Sequence, residues 1–236
     1  MNPDCGMVIV AAGSGTRMGG GVPKQFMPLH GLPLYLWSAR HFDALPEVRA
    51  IVIVGPAGDV DAMTAQARQA RIGKLVAVVS GGALRQDSVL AGLRALPAEC
   101  GIAGVHDGAR PFPGDAVTTA IACAREHGAA ILAAPVPDTI KRVRDGEITS
   151  TLDRSVLWAA QTPQLARRLV LIGALESCAA EGREVTDEAS ALEARGIAVR
   201  VVASPRTNIK VTTPEDWLVA TAIAASMGDG GKVDGE

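Results

Sequence analysis

The chain has 236 residues, of which 48% are hydrophobic, 20% charged and only 3% aromatic, and its formal net charge is −2. This composition is typical of a globular protein that buries a core, and it excludes a disordered chain. The near-neutral charge and the scarcity of aromatic residues argue against a nucleic-acid partner. No apolar run approaches the roughly 18 residues of a membrane-spanning helix, so no membrane partner is expected.

The cysteines and the N-terminus favour a cytoplasmic protein. Four cysteines are scattered without paired spacing, as expected for free thiols in a reducing compartment. The first residues, Met1–Cys5, have neither the basic start nor the apolar segment of a secretory signal.

Short aliphatic runs alternate with helical patterns along the chain. The aliphatic runs, which have the length of buried strands, are Met7–Ala12, Ala50–Val54, Leu75–Ser80, Ile102–His106, Ala130–Ala134 and Ile197–Ala203. Helices are predicted at Pro33–Leu45, Asp59–Arg71, Leu84–Leu96, Asp115–His127, Leu165–Glu181 and Asp187–Ala194. A last helix begins in Thr212–Asp216, where a threonine cap, a proline and two acids mark a helix start.

Strands that are apolar on both faces and separated by helices predict a mostly parallel sheet that is covered on both sides. The expected fold class is therefore α/β, a Rossmann-like three-layer αβα sandwich. We expect a single domain over residues 1–227 and a disordered tail over residues 228–236. In sheets of this kind the ligand binds at the carboxyl ends of the strands, so functional residues are expected in the loops that follow them.

The segment Asp138–Asp153 breaks this alternation. Asp145-Gly146 stands between two β-prone runs, which predicts a hairpin with a type I′ turn. An isolated hairpin is only marginally stable. We therefore expect residues 136–158 to project as an arm that packs against a second copy of the chain; the alternative is a flap that folds onto its own domain.

A glycine-rich loop follows the first strand, with the sequence Ala-Ala-Gly-Ser-Gly-Thr-Arg-Met-Gly from residue 11. Glycines let backbone N–H groups approach phosphate oxygens closely. The loop lacks the Gly-Lys-Ser/Thr ending of ATPase phosphate loops, and Met18 breaks the dinucleotide-binding fingerprint. Arg17 and Lys24 are nevertheless placed to neutralise a polyphosphate, so we expect phosphate binding here rather than a purely structural turn.

Asp107 follows the fourth strand and is a candidate Mg²⁺ ligand, because hard carboxylate oxygens suit a cation that also holds substrate phosphates. Its alternative role is a turn or helix cap. Likewise Thr186, before Asp187, has the sequence context of an ordinary helix N-cap. A site of backbone amides, Arg, Lys and one metal-binding Asp, with no nucleophilic side chain, suits phosphoryl or nucleotidyl transfer.

Six sequence blocks that follow the glycine-rich loop narrow this class. The chain resembles the 2-C-methyl-D-erythritol 4-phosphate cytidylyltransferases of non-mevalonate isoprenoid synthesis over residues 7–222. The blocks that carry the resemblance begin at Gly82, His106, Pro137, Gln161, Thr186 and Asn208.

The resemblance implies that a phosphate of methylerythritol phosphate attacks the α-phosphorus of CTP, with Mg²⁺ required and pyrophosphate released. It implies that Arg17 and Lys24 stabilise the transition state, and that Arg154 and Lys210 position the attacking phosphate. The implied CTP contacts are Ala11, Ala12, Gly13, Gly15, Gly82, Ser88, Asp107 and Gly108, with Asp107 also on the metal. The implied methylerythritol phosphate contacts are Thr139, Arg154, Thr162, Thr186 and Lys210. Thr139 and Arg154 are expected to reach the site of the neighbouring subunit in a homodimer.

The chain departs from the family pattern at two positions. Ala83 stands where family members often carry Asp, which removes one side-chain contact near the nucleotide. Thr207 also replaces a common Asp, so Asp107, the triphosphate and water are the expected metal ligands. Two alternative functions share these motifs: transfer of CMP to ribitol 5-phosphate, and CTP binding without catalysis.

Overall fold

The computed structural model describes residues 3–13 and 23–227. Its strands are β1 (Cys5–Val10), β2 (Pro28–Leu29), β3 (Leu32–Pro33), β4 (Val48–Gly55), β5 (Leu75–Ser80), β6 (Ile102–Asp107), β7 (Ala129–Pro135), β8 (Lys141–Arg144), β9 (Glu147–Thr151), β10 (Trp158–Arg167) and β11 (Arg200–Ala203). Its α-helices are α1 (Leu34–Ala44), α2 (Val60–Gln69), α3 (Arg85–Ala95), α4 (Ala116–His127), α5 (Arg168–Ala180), α6 (Glu188–Ala194) and α7 (Pro214–Ser226).

Seven strands form the central sheet, in the order β11-β7-β10-β6-β1-β4-β5. β1 pairs in parallel with β4 and β6, and β4–β5 and β7–β11 are also parallel. β10 is antiparallel to both of its neighbours, β6 and β7. The predicted mostly parallel sheet is therefore confirmed.

Both faces of the sheet are covered, which confirms the three-layer arrangement. Successive side chains of a strand point to opposite faces. Met7 and Ile9 accordingly pack with Tyr35 of α1 on one face, in a core that also includes residues of α2 and α4. Val8 packs with Val89 of α3 on the other face, in a core that α5 completes.

One predicted helix begins too early. Residues 165–167 of the predicted helix Leu165–Glu181 belong to β10, and α5 begins only at Arg168. Leu and Ala favour a helix locally, but Leu165 and Ala166 pair with β6 on one side and β7 on the other and are buried there. Sheet pairing outweighs local propensity at these residues. The last predicted strand is also shorter than expected, Arg200–Ala203 rather than Ile197–Ala203.

The start of α7 is confirmed. Thr213 is its N-cap, and its side chain accepts a hydrogen bond from Asp216 N–H. Asp216 in turn accepts from Thr213 N–H at 2.9 Å, which completes a capping box ahead of Pro214. Across the described residues, no helix has the length and apolar content needed to span a membrane.

The predicted hairpin is present as β8 and β9. Asp145 and Gly146 have φ values of 52° and 84°, the positive values that a type I′ turn requires. Every residue from Lys141 to Thr151 is exposed, which favours a projecting arm over a flap that packs on its own domain. Val143 and Ile148 face each other across the two strands and are 56% and 66% exposed.

Candidate active site

A cavity of about 520 Å³ opens at the carboxyl edge of the sheet, where β1, β5 and β6 end. This volume is within the range typical of small-molecule sites. The residues that line it are Val10, Ala11, Ala12, Gly13, Lys24, Gln25, Gly82, Ala83, Leu84, Arg85, Ser88, Asp107, Ala109 and Lys210. The lining thus contains three cations and one carboxylate, so the described wall of the cavity favours an anionic ligand.

The structure brings most of the predicted nucleotide contacts together at this cavity. Ala11, Ala12, Gly13, Gly82, Ser88 and Asp107 all border it, as do Lys24 and Lys210. Gly15 and Arg17 lie outside the described residues, as does the tail over residues 228–236.

Several backbone and hydroxyl groups of this set are used inside the protein. Gly82 N–H donates to Ser88 Oγ at 3.1 Å, and Ser88 Oγ donates to the Leu84 carbonyl at 3.3 Å. Ser88 therefore shapes the loop after β5. Gly108 is buried and donates its N–H to the Val10 carbonyl at 2.9 Å, so this N–H is committed to the fold.

Asp107 is the centre of the charged groups. Lys210 Nζ lies 2.8 Å from its Oδ2, Arg85 contacts its Oδ1 at 3.3 Å, and Arg110 Nε lies 3.8 Å from Oδ2. Burial opposes ionisation of this carboxyl, but the cations, with Lys210 the strongest, prevail and lower the pKa of Asp107 to about 2. Asp107 is therefore an ionised carboxylate at neutral pH.

A buried polar chain holds Asp107 from behind. Its backbone N–H donates to Thr162 Oγ1 at 3.0 Å, and Thr162 Oγ1 lies 3.1 Å from His106 Nδ1. His106 Nε2 faces the Arg110 carbonyl at 2.9 Å, and because a carbonyl only accepts, Nε2 carries the proton. Nδ1 is then the acceptor of the Thr162 hydroxyl. Burial lowers the pKa of His106 to about 4, so its ring is neutral.

Arg85 and Glu188 belong to the same cluster, although the sequence did not mark either as a site residue. Arg85 Nη1 and Nη2 bind the two oxygens of Glu188 at 2.7 and 3.2 Å. The two residues are 103 positions apart in sequence, and each begins a helix. The one available signal was their presence in the blocks that begin at Gly82 and Thr186.

The loop after β11 carries Lys210 and is anchored by Asn208. The Asn208 side-chain amide donates to Gln161 Oε1 and to the Thr162 carbonyl, both at 2.9 Å, and the backbone carbonyl of Asn208 accepts from Arg110. Lys24 Nζ donates to the Val211 carbonyl at 2.9 Å. Lys24 and Lys210 thus both lie where this loop meets the cavity.

Four predicted acceptor contacts are not among the cavity residues, and one of them, Thr162, is buried behind Asp107. Thr139, Arg154 and Thr186 are exposed, and Arg154 donates to the Pro137 carbonyl at the base of the arm at 2.6 Å. The alternative role of Thr186 as an N-cap is wrong. Asp187 caps α6 instead, accepting from Ser190 N–H at 2.9 Å, because its carboxylate lies closer to the first turn.

This fold and this cavity define an α/β protein with a cation-lined ligand site at the carboxyl edge of its sheet. Comparison with known proteins specifies the class further. The sequence model of the 2-C-methyl-D-erythritol 4-phosphate cytidylyltransferase family matches residues 5–226. The chain therefore belongs to this family of nucleotidyltransferases.

Individual relatives agree with the family match. The chain is 45% identical over 216 residues to the 2-C-methyl-D-erythritol 4-phosphate cytidylyltransferase of Symbiobacterium thermophilum, covering 91% of this chain and 90% of the relative. It is 40% identical to a bifunctional IspD/IspF enzyme of Desulfotalea psychrophila, of which it covers 55%. The structure matches 4-diphosphocytidyl-2C-methyl-D-erythritol synthase of Anaerococcus prevotii with a TM-score of 0.82 at 28% identity, covering 94% and 96% of the two chains.

Proposed function

We propose that the protein transfers CMP from CTP to 2-C-methyl-D-erythritol 4-phosphate, giving 4-diphosphocytidyl-2-C-methyl-D-erythritol and pyrophosphate. The observation that carries the proposal is the cavity that Lys24, Arg85, Lys210 and Asp107 line together, in a chain that belongs to the cytidylyltransferase family. A phosphate oxygen of the acceptor bonds to the α-phosphorus of CTP. The bond from this phosphorus to the α,β-bridging oxygen breaks, and pyrophosphate leaves with the electron pair.

The chain's own residues act in this reaction by position and charge. The attacking phosphate is already an anion, so the reaction requires no general base. Asp107 is ionised and therefore carries no proton to donate. Lys24 and Arg17 are assigned to the charge that develops on the α-phosphate, as the family motif suggests. Lys210 is assigned to the attacking phosphate, which one of its three N–H donors would bind while another stays on Asp107 Oδ2.

Asp107 also fits the Mg²⁺ ion that the family implies. It provides one ionised hard-oxygen ligand at the cavity wall, and the described residues contain no group of three or more His, Cys, Asp or Glu placed to hold a metal. Mg²⁺ is commonly bound through one or two carboxylates together with substrate phosphates and water. When bound, it would neutralise triphosphate charge.

We assign residues 136–158 to a dimerisation arm of a single domain spanning residues 1–227. Val143, Ile148, Val156 and Trp158 are all at least 44% exposed on or beside the hairpin, and a second copy of the chain would cover them. In such a dimer, Thr139 and Arg154 are assigned to the neighbouring subunit's acceptor site, which accounts for their position outside the cavity of their own chain.

We also assign the enzyme to the cytoplasm. Its four cysteines are free, and three of them are buried, as expected for a protein that folds in a reducing compartment. Fractionation of the source cells tests this assignment, and recovery of the protein outside the cytoplasmic fraction would contradict it.

Pyrophosphate release measures the proposed activity. Purified protein with CTP, Mg²⁺ and methylerythritol phosphate should release pyrophosphate, whereas ribitol 5-phosphate in a parallel assay should not replace the acceptor. Arg17→Ala should lower kcat by about 100- to 1,000-fold with little change in KM, if it acts as a transition-state donor. Arg94→Met removes an exposed cation at the other end of α3 and is the control. No pyrophosphate release by the unaltered protein would refute the proposal.

The arm is tested by molecular mass in solution. Ile148→Lys places a charge on the apolar face of the hairpin, so it should convert a dimer into a monomer. Glu147→Gln adds the same single unit of positive charge at the neighbouring residue, which is in regular register and points to the opposite face, and it is the control. A monomeric unaltered protein would contradict the arm assignment without affecting the catalytic proposal.

A further inference from the structure

Glu188 is a buried carboxylate next to the cavity that has no role in the reaction described above. Its side chain is only 1% exposed. A carboxylate so deeply buried needs a charged partner, and Arg85 provides one with a bidentate pair of 2.7 and 3.2 Å. Arg85 itself lines the cavity, so Glu188 acts on the site only through this guanidinium.

The same guanidinium also touches Asp107. Arg85 Nη2 contacts Asp107 Oδ1 at 3.3 Å, while Lys210 Nζ contacts Oδ2 at 2.8 Å. Oδ1 of Asp107 therefore faces Arg85, whereas Oδ2 faces Lys210, with Arg110 Nε farther away at 3.8 Å. A guanidinium can bind both oxygens of one carboxylate at once, but here that paired geometry is already taken by Glu188.

We propose that Glu188 is a positioning residue of the active site. By engaging both terminal nitrogens of Arg85, it keeps Arg85 from closing on both oxygens of Asp107, and it thereby leaves Oδ2 to Lys210. Among the described residues, Arg85 forms ion pairs with Glu188 and Asp107, so a variant without Glu188 leaves Asp107 as its partner. Arg85 would then displace Lys210 from the position assigned to it for the attacking phosphate. The kinetic consequence rests on the proposed function, whereas the rearrangement does not.

The direct test is a crystal structure of Glu188→Gln, which keeps the shape of the side chain and removes its charge. Both terminal nitrogens of Arg85 are expected on Asp107, with Lys210 Nζ withdrawn from Oδ2. An unchanged Arg85 would overturn the proposal. This measurement needs no substrate, so it stands even if the unaltered protein shows no activity with CTP and methylerythritol phosphate.

The kinetic test is a double-mutant cycle. Glu188→Gln should lower kcat/KM by about tenfold, within the range of coupling between contacting residues. Arg85→Lys keeps the charge but lacks the fork, so adding Glu188→Gln to it should lower kcat/KM by less than about twofold further. Losses that multiply would show that Glu188 does not act through Arg85, and would overturn the proposal.

Two further variants complete the test. Glu176→Gln breaks the exposed pair with Arg94, on the same helix as Arg85, and should leave kcat/KM unchanged. If Glu188→Gln does not fold, Glu188→Asp replaces it in the structural and kinetic tests: the shorter side chain keeps the charge but reaches only one nitrogen of Arg85. An unchanged kcat/KM in Glu188→Asp would then count against the proposal.

Discussion

Replacing Thr162 by Val tests the buried polar chain behind Asp107. Valine keeps the shape of threonine but removes the hydroxyl that accepts from Asp107 N–H at 3.0 Å and donates to His106 Nδ1 at 3.1 Å. Both partners are buried, and a buried polar group that loses its partner costs about 1–3 kcal/mol. The free energy of unfolding should therefore fall by about 2–6 kcal/mol.

Thermal unfolding monitored by circular dichroism measures this change. For a chain of this length, 1 kcal/mol shifts Tm by about 2–4 °C, so Thr162→Val should lower Tm by about 5–20 °C. Thr162→Ser keeps the hydroxyl and loses one buried methyl, at about 1 kcal/mol. Thr221→Val removes a hydroxyl that bonds the Trp217 carbonyl on an exposed helix face, and should be nearly neutral. If Thr162→Val were as stable as Thr162→Ser, the proposed role of the hydroxyl would be refuted.

Three other predictions address packing, pH and charge. Gly92→Ala in α3 should lower the free energy of unfolding by about 1–3 kcal/mol, because the new Cβ would lie 2.8 Å from Val54 Cγ2 and closer still to Val8 Cγ1 of β1. Gly173→Ala in α5 is the control: its Cβ would contact no other atom, so the free energy of unfolding, measured in urea, should rise by about 0.5–1 kcal/mol. Native His106 has a pKa of about 4 against 6.5 in the unfolded chain, so as pH falls through this window only the unfolded chain gains a proton. Stability should then decrease by up to about 1.4 kcal/mol per pH unit, and a flat profile of urea midpoints between pH 6.5 and 4 would exclude this linkage. Lys210→Met should raise KM for methylerythritol phosphate more than KM for CTP in steady-state assays; equal effects would contradict its assignment to the acceptor.

Local signals in the sequence were sufficient for much of the fold. The alternation of aliphatic runs and helical patterns predicted six strands of the central sheet and its parallel character, because period and length are properties of short segments. The Asp145-Gly146 turn predicted the hairpin, since few residue pairs adopt positive φ at both positions. Asp107 was likewise predicted as a site residue from its type and its position after a strand, and Lys210 from the family resemblance.

Tertiary structure decided what depends on distant partners. Gln164-Leu165-Ala166 has helical propensity, and it became a strand only because β6 and β7 offer open edges on both sides. Arg85 and Glu188 could not be paired from the sequence, because their contact depends on two helices that begin at the same edge of the sheet. Sequence motifs predicted a cation-rich phosphate site. Folding determined which cation each oxygen of Asp107 faces, because that geometry is set by residues brought together from β6, α3, α6 and the loop after β11.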